Sequence, residues 1–172
     1  AAAGYASERG PRGGRGALIL SLVAVPLSAA LVLHSYVDWR SEVYAVKTLR
    51  AAVDAARYIS GGEYPALELR LTLLTGSPKA LRVELVRYYV YAGGRLARVL
   101  ADSYPEGLEV GPGGRALSRL VSLHPDVTPS CFERGLCTVR LQLVVRTRFG
   151  LSLVDLPLRL QPEAPNVPAG PA

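Results

Sequence analysis

The chain has 172 residues and a formal net charge of +6 at pH 7, and that excess is almost entirely arginine: 18 Arg against Lys47 and Lys79 alone. The arginines are spread over every predicted strand, which describes a solvated surface and excludes a concentrated nucleic-acid footprint. Methionine is absent, asparagine occurs only at Asn166 and glutamine only at Gln142 and Gln161. Depletion of thermally labile residues beside abundant arginine matches the composition of a hyperthermophile's protein.

Residues 1–16 are small, Gly-rich and basic and cannot bury a core. Arg9, Arg12 and Arg15 stand directly before an apolar run, as the positive-inside rule expects of the cytoplasmic side of a membrane helix. The run, residues 16–37, holds no Asp, Glu, Lys or Arg. As a helix it would be roughly 33 Å long, enough for a hydrocarbon core of about 30 Å. Pro26 removes one backbone hydrogen bond inside it and predicts a local bend. Tyr36 and Trp39 mark an interfacial aromatic belt at its outer end. A basic arm before an apolar run is also the layout of a secretory signal, with Ser28-Ala29-Ala30 as a weak exit site.

From Asp38 the pattern stays helical and turns amphipathic. Val43, Val46, Leu49, Val53, Ala56 and Ile59 recur at spacings of three and four, and Arg50–Asp54 forms a favourable i,i+4 pair. The expectation is one long helix over 17–60, apolar over 17–37 and amphipathic over 38–60, ended by Gly61-Gly62 and Pro65.

After Pro65 the period becomes two. Strands are expected over 67–73 and 81–91, then through a Gly93-Gly94 hairpin over 95–102. A turn at Tyr104-Pro105-Glu106-Gly107 precedes a short strand at 108–110, and further strands cover 115–123, 138–149 and 151–160. Pro157 makes the last of these an edge or bulged strand. The whole is an α+β chain: a long N-terminal helix followed by an antiparallel β-sandwich of about seven strands, Ig-like, over 66–160. A Pro-rich tail follows at 161–172.

Cys131 and Cys137 lack CxxC spacing and sufficient histidine company for zinc. A disulfide closing their short loop fits an oxidising exterior and contributes roughly 2 kcal/mol. No catalytic constellation emerges. His124 is the only histidine outside the apolar helix and lies in a loop, while His34 sits at the interfacial end of that helix. The GPGGR at 111–115 lacks the GK[ST] ending of a phosphate loop and is expected to be a turn. Glu106 and Glu109 have no cleft signal around them. Tyr88, Tyr89 and Tyr91 are expected to fill both faces of their strand rather than to stack on bases or sugars. No enzyme activity, cofactor, metal, nucleic acid or small-molecule substrate is expected.

The layout resembles that of archaeal type IV pilins and related surface-filament subunits, and Arg15-Gly16-Ala17 resembles a prepilin-peptidase site directly before the apolar run. The resemblance implies a structural subunit of an extracellular filament, inserted in the membrane before assembly, then self-assembling by bundling helices with the β-domain exposed. Its partners would be copies of itself. The alternative is a single-pass, membrane-anchored extracytoplasmic β-sandwich that serves as a binding or accessory module. In both readings the helix-packing residues are Leu18, Leu20, Leu22, Val25, Leu27, Leu31 and Leu33, with Pro26 setting the bend.

Overall fold

The computed structural model describes residues 14–160, with side chains from Leu20 onward. The basic arm with Arg9 and Arg12, the side chains of Arg15 and Leu18, and the Pro-rich tail at 161–172 lie outside the described residues. The chain divides into two compact units between Arg40 and Ser41. Helix α1, Gly14–Lys47, carries the apolar run and ends inside the second unit.

The expected continuation of the helix to residue 60 is not what forms. α1 stops at Lys47, and strand β1, Arg50–Ile59, follows almost at once. Threonine chemistry closes the helix. Thr48 Oγ1 donates to the Tyr44 carbonyl at 2.8 Å, and Thr75 Oγ1 donates to the Ala45 carbonyl at 2.9 Å. The Tyr44 carbonyl also keeps its helical bond from the Thr48 N–H, and the Thr75 hydroxyl satisfies the Ala45 carbonyl that a further helical turn would have used. The alanines of 51–56 favour a helix intrinsically, but pairing along the whole of β2 overrides that propensity. The helix-like spacing has a specific origin. A bulge between Val53 and Ala55 inserts one residue into a period-two pattern, so the inward residues Val53 and Ala56 stand three apart. Asp54, expected to pair with Arg50, instead accepts a hydrogen bond from Thr72 Oγ1 at 2.6 Å.

Among the described residues seven antiparallel strands form two sheets, so the chain is α+β. β1, β2 (Ala66–Leu74) and β5 (Arg115–Ser122) form one sheet in the order β1-β2-β5. β3 (Leu81–Ala92), β4 (Arg95–Val110), β6 (Cys137–Thr147) and β7 (Gly150–Arg159) form the other in the order β4-β3-β6-β7. Period-two alternation puts Leu67, Leu69, Leu71 and Leu73 of β2 into the same core as Val139, Leu141, Leu143 and Val145 of β6. To this core β3 adds Val83 and, beyond a register shift that sets the next inward residue three positions on, Val86, Tyr88 and Val90. Ala45 and Leu49, at the end of α1 and just beyond it, complete that core. Pro157 lies on β7, an edge strand, as its missing N–H requires.

Two expected short strands are one. β4 runs through Pro105 as a single strand, and residues 104–107 bulge out opposite Glu84 between the Val83–Leu108 and Leu85–Ser103 pairs. The Gly93-Gly94 hairpin forms with both glycines at positive φ, 57° and 80°, the conformation that a two-residue turn with the right twist demands. Residues 123–136 connect β5 to β6 and include the short helix α2, Ser130–Glu133. A disulfide joins Cys131 to Cys137 with Cα atoms 5.4 Å apart. Tyr58 Oη donates to the Val127 carbonyl at 2.9 Å, and the Tyr58 ring lies 5.5 Å from that of Phe132.

Leu69→Ala opens the centre of this core and is expected to lower unfolding free energy by about 2–5 kcal/mol. Leu120→Ala removes an exposed side chain and is expected to change it by less than about 0.5 kcal/mol. Chemical denaturation in detergent solution compares the two.

Candidate functional site

The apolar run is the first candidate. Leu20, Leu22, Val25, Leu27, Leu31 and Leu33 are each between 61% and 73% exposed. With Val23 and Val32 they surround the helix rather than forming one stripe, at about 100° per residue. A helix that is apolar all round suits lipid or a bundle of similar helices, not one side of a globular core. α1 is long and apolar enough to cross a membrane, with a mean hydropathy of 1.8 over its most apolar stretch. Pro26 lies within an uninterrupted helix, and Ser28 Oγ donates to the Ala24 carbonyl at 2.7 Å. At the C-terminal end of the run the Tyr36 and Trp39 rings lie 5.9 Å apart, and His34 Nε2 is 3.9 Å from Asp38 Oδ2.

The second candidate is the open side between edge strands β4 and β5. A cleft of about 460 Å³ lies there, lined by Ala101, Asp102, Ser103, Tyr104, Ser118 and Arg119. Its position follows from register. Asp102 and Arg119 stand opposite the inward residues Val86 and Leu69, so both point to the core side of their sheets. Arg119 Nη2 crosses the gap and donates to Asp102 Oδ1. Asp102 is only 9% exposed. Beneath them, burial pushes the Tyr88 phenol well above its ordinary pKa, and the Asp102 carboxylate and Tyr104 push it further, with Arg119 opposing. Tyr104 is raised in the same way, first by burial and then by Asp102. The arrangement is a charge pair over a neutral phenol, able to accept or donate hydrogen bonds to a polar group.

A smaller cleft of about 330 Å³ lies on the same side, lined by Tyr64, Ala97, Arg98, Ser122, Leu123, His124 and Pro125. His124 Nδ1 is 3.0 Å from Asp126 Oδ2, and both side chains are exposed. Among the described residues no hydrogen bond joins Ser122 to His124, and no group of three or more His, Cys, Asp or Glu could hold a metal ion.

Other expected positions fall as follows. Tyr88 is in the core, whereas Tyr89 and Tyr91 are half-buried on the opposite face. Tyr89 Oη and Arg87 Nη1 both donate to Gln142 Oε1, at 3.4 and 3.0 Å. Residues 111–114 form the expected turn, with Gly114 N–H donating to the Gly111 carbonyl at 3.1 Å. Glu109 lies 3.8 Å from Arg82, and Glu106 is exposed. The Asp102–Arg119 pair escaped the sequence reading. Its signal was present: Arg119 sits between Leu117 and Val121 at the two-residue spacing that points inward.

No family model matches this chain, and no curated protein matches it. Among solved structures, similarity extends to a provisionally assigned late embryogenesis abundant (LEA) protein at 15% identity and a TM-score of 0.47, covering 81% of this chain and 89% of that one. A structural-genomics target matches at 16% identity and a TM-score of 0.45, over 71% of this chain and 91% of the other. A protein from Archaeoglobus fulgidus matches at 8% identity and a TM-score of 0.39, over 64% and 98%.

The folded chain favours the neutral Tyr88 phenol, whereas an unfolded tyrosine ionises near pH 10. Unfolding therefore releases a proton above about pH 10, and stability is lost as pH rises through the folded value. The thermal midpoint in detergent is expected to fall above about pH 10, with a shallower fall in Tyr88→Phe. The ion pair is expected to be asymmetric. Arg119→Ala strands a buried carboxylate and costs about 1–3 kcal/mol. Asp102→Asn costs less, because the half-exposed Arg119 remains hydrated.

Proposed function

We propose that this chain is a single-pass membrane protein that holds an Ig-like β-sandwich on the outer side of a membrane as a binding or accessory module. The observation that carries the reading is the apolar circumference of α1, from Leu20 to Leu33, which requires lipid or other apolar helices around it. Arg9, Arg12 and Arg15 before the run support a cytoplasmic start. The Cys131–Cys137 bridge supports an oxidising compartment for the β-domain. The two clefts between β4 and β5 are the places on the β-domain where a ligand or partner group would sit.

The filament reading draws on the same apolar side chains, which would face neighbouring helices after assembly. It also asks for the amphipathic half-helix to continue through 38–60, but α1 ends at Lys47 and β1 takes residues 50–59. For that reason the anchored module comes first and the self-assembling subunit second.

Expression in a bacterial or archaeal host, followed by alkaline extraction of membranes and electron microscopy, separates the two. The anchored module is expected to stay with the membrane pellet and to behave as a detergent-dependent monomer without threads. Helical threads in purified material would favour the filament subunit. Leu27→Arg places a charge mid-span at a cost of about 3 kcal/mol, and membrane retention is expected to fall sharply. Unchanged retention of that variant would remove the basis of both readings.

A further inference from the structure

The β6–β7 hairpin carries an exposed apolar tip that neither the core nor the clefts use. Phe149 in the turn is 58% exposed, and Leu151 and Leu153, two residues apart on the outer face of β7, are 62% and 61% exposed. Apolar side chains at a hairpin tip are unfavourable in water unless something covers them.

The position of this tip is fixed by the start of the domain. Glu42, only 6% exposed, accepts a hydrogen bond from the Arg148 backbone N–H at 2.9 Å and another from Lys79 Nζ at 2.9 Å. The turn is therefore locked to the point where the chain enters the β-domain. Glu42 stands five residues after Val37, the last residue of the apolar run. Even fully extended, five residues span at most about 18 Å. If the run is embedded in a bilayer, Glu42 and the turn bound to it are tethered within about 18 Å of the end of that run. Lys47 and Arg50, both exposed, lie at the same end of the domain and favour an anionic surface.

We propose that Phe149, Leu151 and Leu153 form a second membrane contact, dipping into the headgroup–acyl boundary of an anionic bilayer beside the span. The inference rests on the anchoring of α1 proposed above. Lipid is the occupant favoured, because the short tether keeps it near the patch at high effective concentration. A shallow contact of aromatic and leucine side chains flanked by basic residues is the composition of interfacial anchors. It would also restrict how the β-domain tilts, so that the clefts between β4 and β5 face a defined direction.

The full chain, reconstituted in vesicles of mixed zwitterionic and anionic phospholipid, tests this. Trp39 is the sole tryptophan, so its indole reports the span. In Trp39→Phe/Phe149→Trp the only indole sits at the hairpin tip, and in Trp39→Phe/Leu120→Trp it sits near the far end of β5. Lipids brominated near the headgroup end of their acyl chains are the quencher. The expected result is strong quenching and a blue shift for the unsubstituted chain and for the Phe149→Trp variant, and none for the Leu120→Trp variant. Quenching of Trp39 without quenching at position 149 would overturn this inference and leave the anchor standing. No quenching at either position would overturn the anchor and this contact together. Equal quenching at positions 149 and 120 would mean that the domain lies against lipid without a specific tip contact, and would also overturn the inference.

Discussion

A buried carboxylate fixes where the β-domain begins. Glu42 lies at 6% exposure, where an unpaired charge would cost several kcal/mol. Its two partners come from two different connections, Lys79 between β2 and β3 and the Arg148 amide between β6 and β7. One helical residue thus joins the two sheets at the end where the chain arrives. Thr48 and Thr75 reinforce the same point: their hydroxyls lie 3.2 Å apart, and Gly76 N–H donates to Thr48 Oγ1 at 3.2 Å. With Ala45 and Leu49 buried in the core, the last turns of α1 belong to the domain rather than to the apolar run. Everything that follows in the chain is placed relative to that corner.

The rest of the domain is closed by unlike means at its open sides. Strands β1 and β5 bound one sheet, and β4 and β7 bound the other. Each edge carries a feature that discourages pairing with another chain: the bulge and exposed Asp54 of β1, Arg115 and Arg119 on β5, the Pro105 bulge of β4, and Pro157 beside Asp155 and Arg159 on β7. Between β4 and β5 the seal is the Asp102–Arg119 ion pair over Tyr88 rather than a row of leucines. That polar seal is also why the clefts occur on this side.

Strand period and turn chemistry made most of the sheet legible in advance. β2 and β6 alternate cleanly because one face of each is core, and β3 alternates on either side of a one-residue shift after Val83. The misreadings have physical causes. In β1 a bulge turned a two-residue repeat into a three-residue step, and alanine-rich composition completed the imitation of a helix. In β4 the Tyr104-Pro105-Glu106-Gly107 sequence has turn composition, yet it is accommodated as a bulge within one strand. The two errors offset each other in the strand count. The apolar helix was readable from composition alone. The inward position of Arg119 was readable from its spacing, but its pairing with Asp102 and the Glu42 site were not, because they depend on which sheet edges meet and which loops share an end.

The connection over 123–136 has its own consequence. It is long for an inter-strand segment, but it is tied down three times: by the Cys131–Cys137 bridge, by the Tyr58 hydroxyl on Val127, and by Phe132 buried against the Tyr58 ring. A segment so constrained has already lost the conformational freedom that a slack loop would surrender on contact. Whatever meets the domain at that end meets a preorganised surface. Its recognition is then governed by fit and dissociation rate rather than by the entropy of ordering a chain.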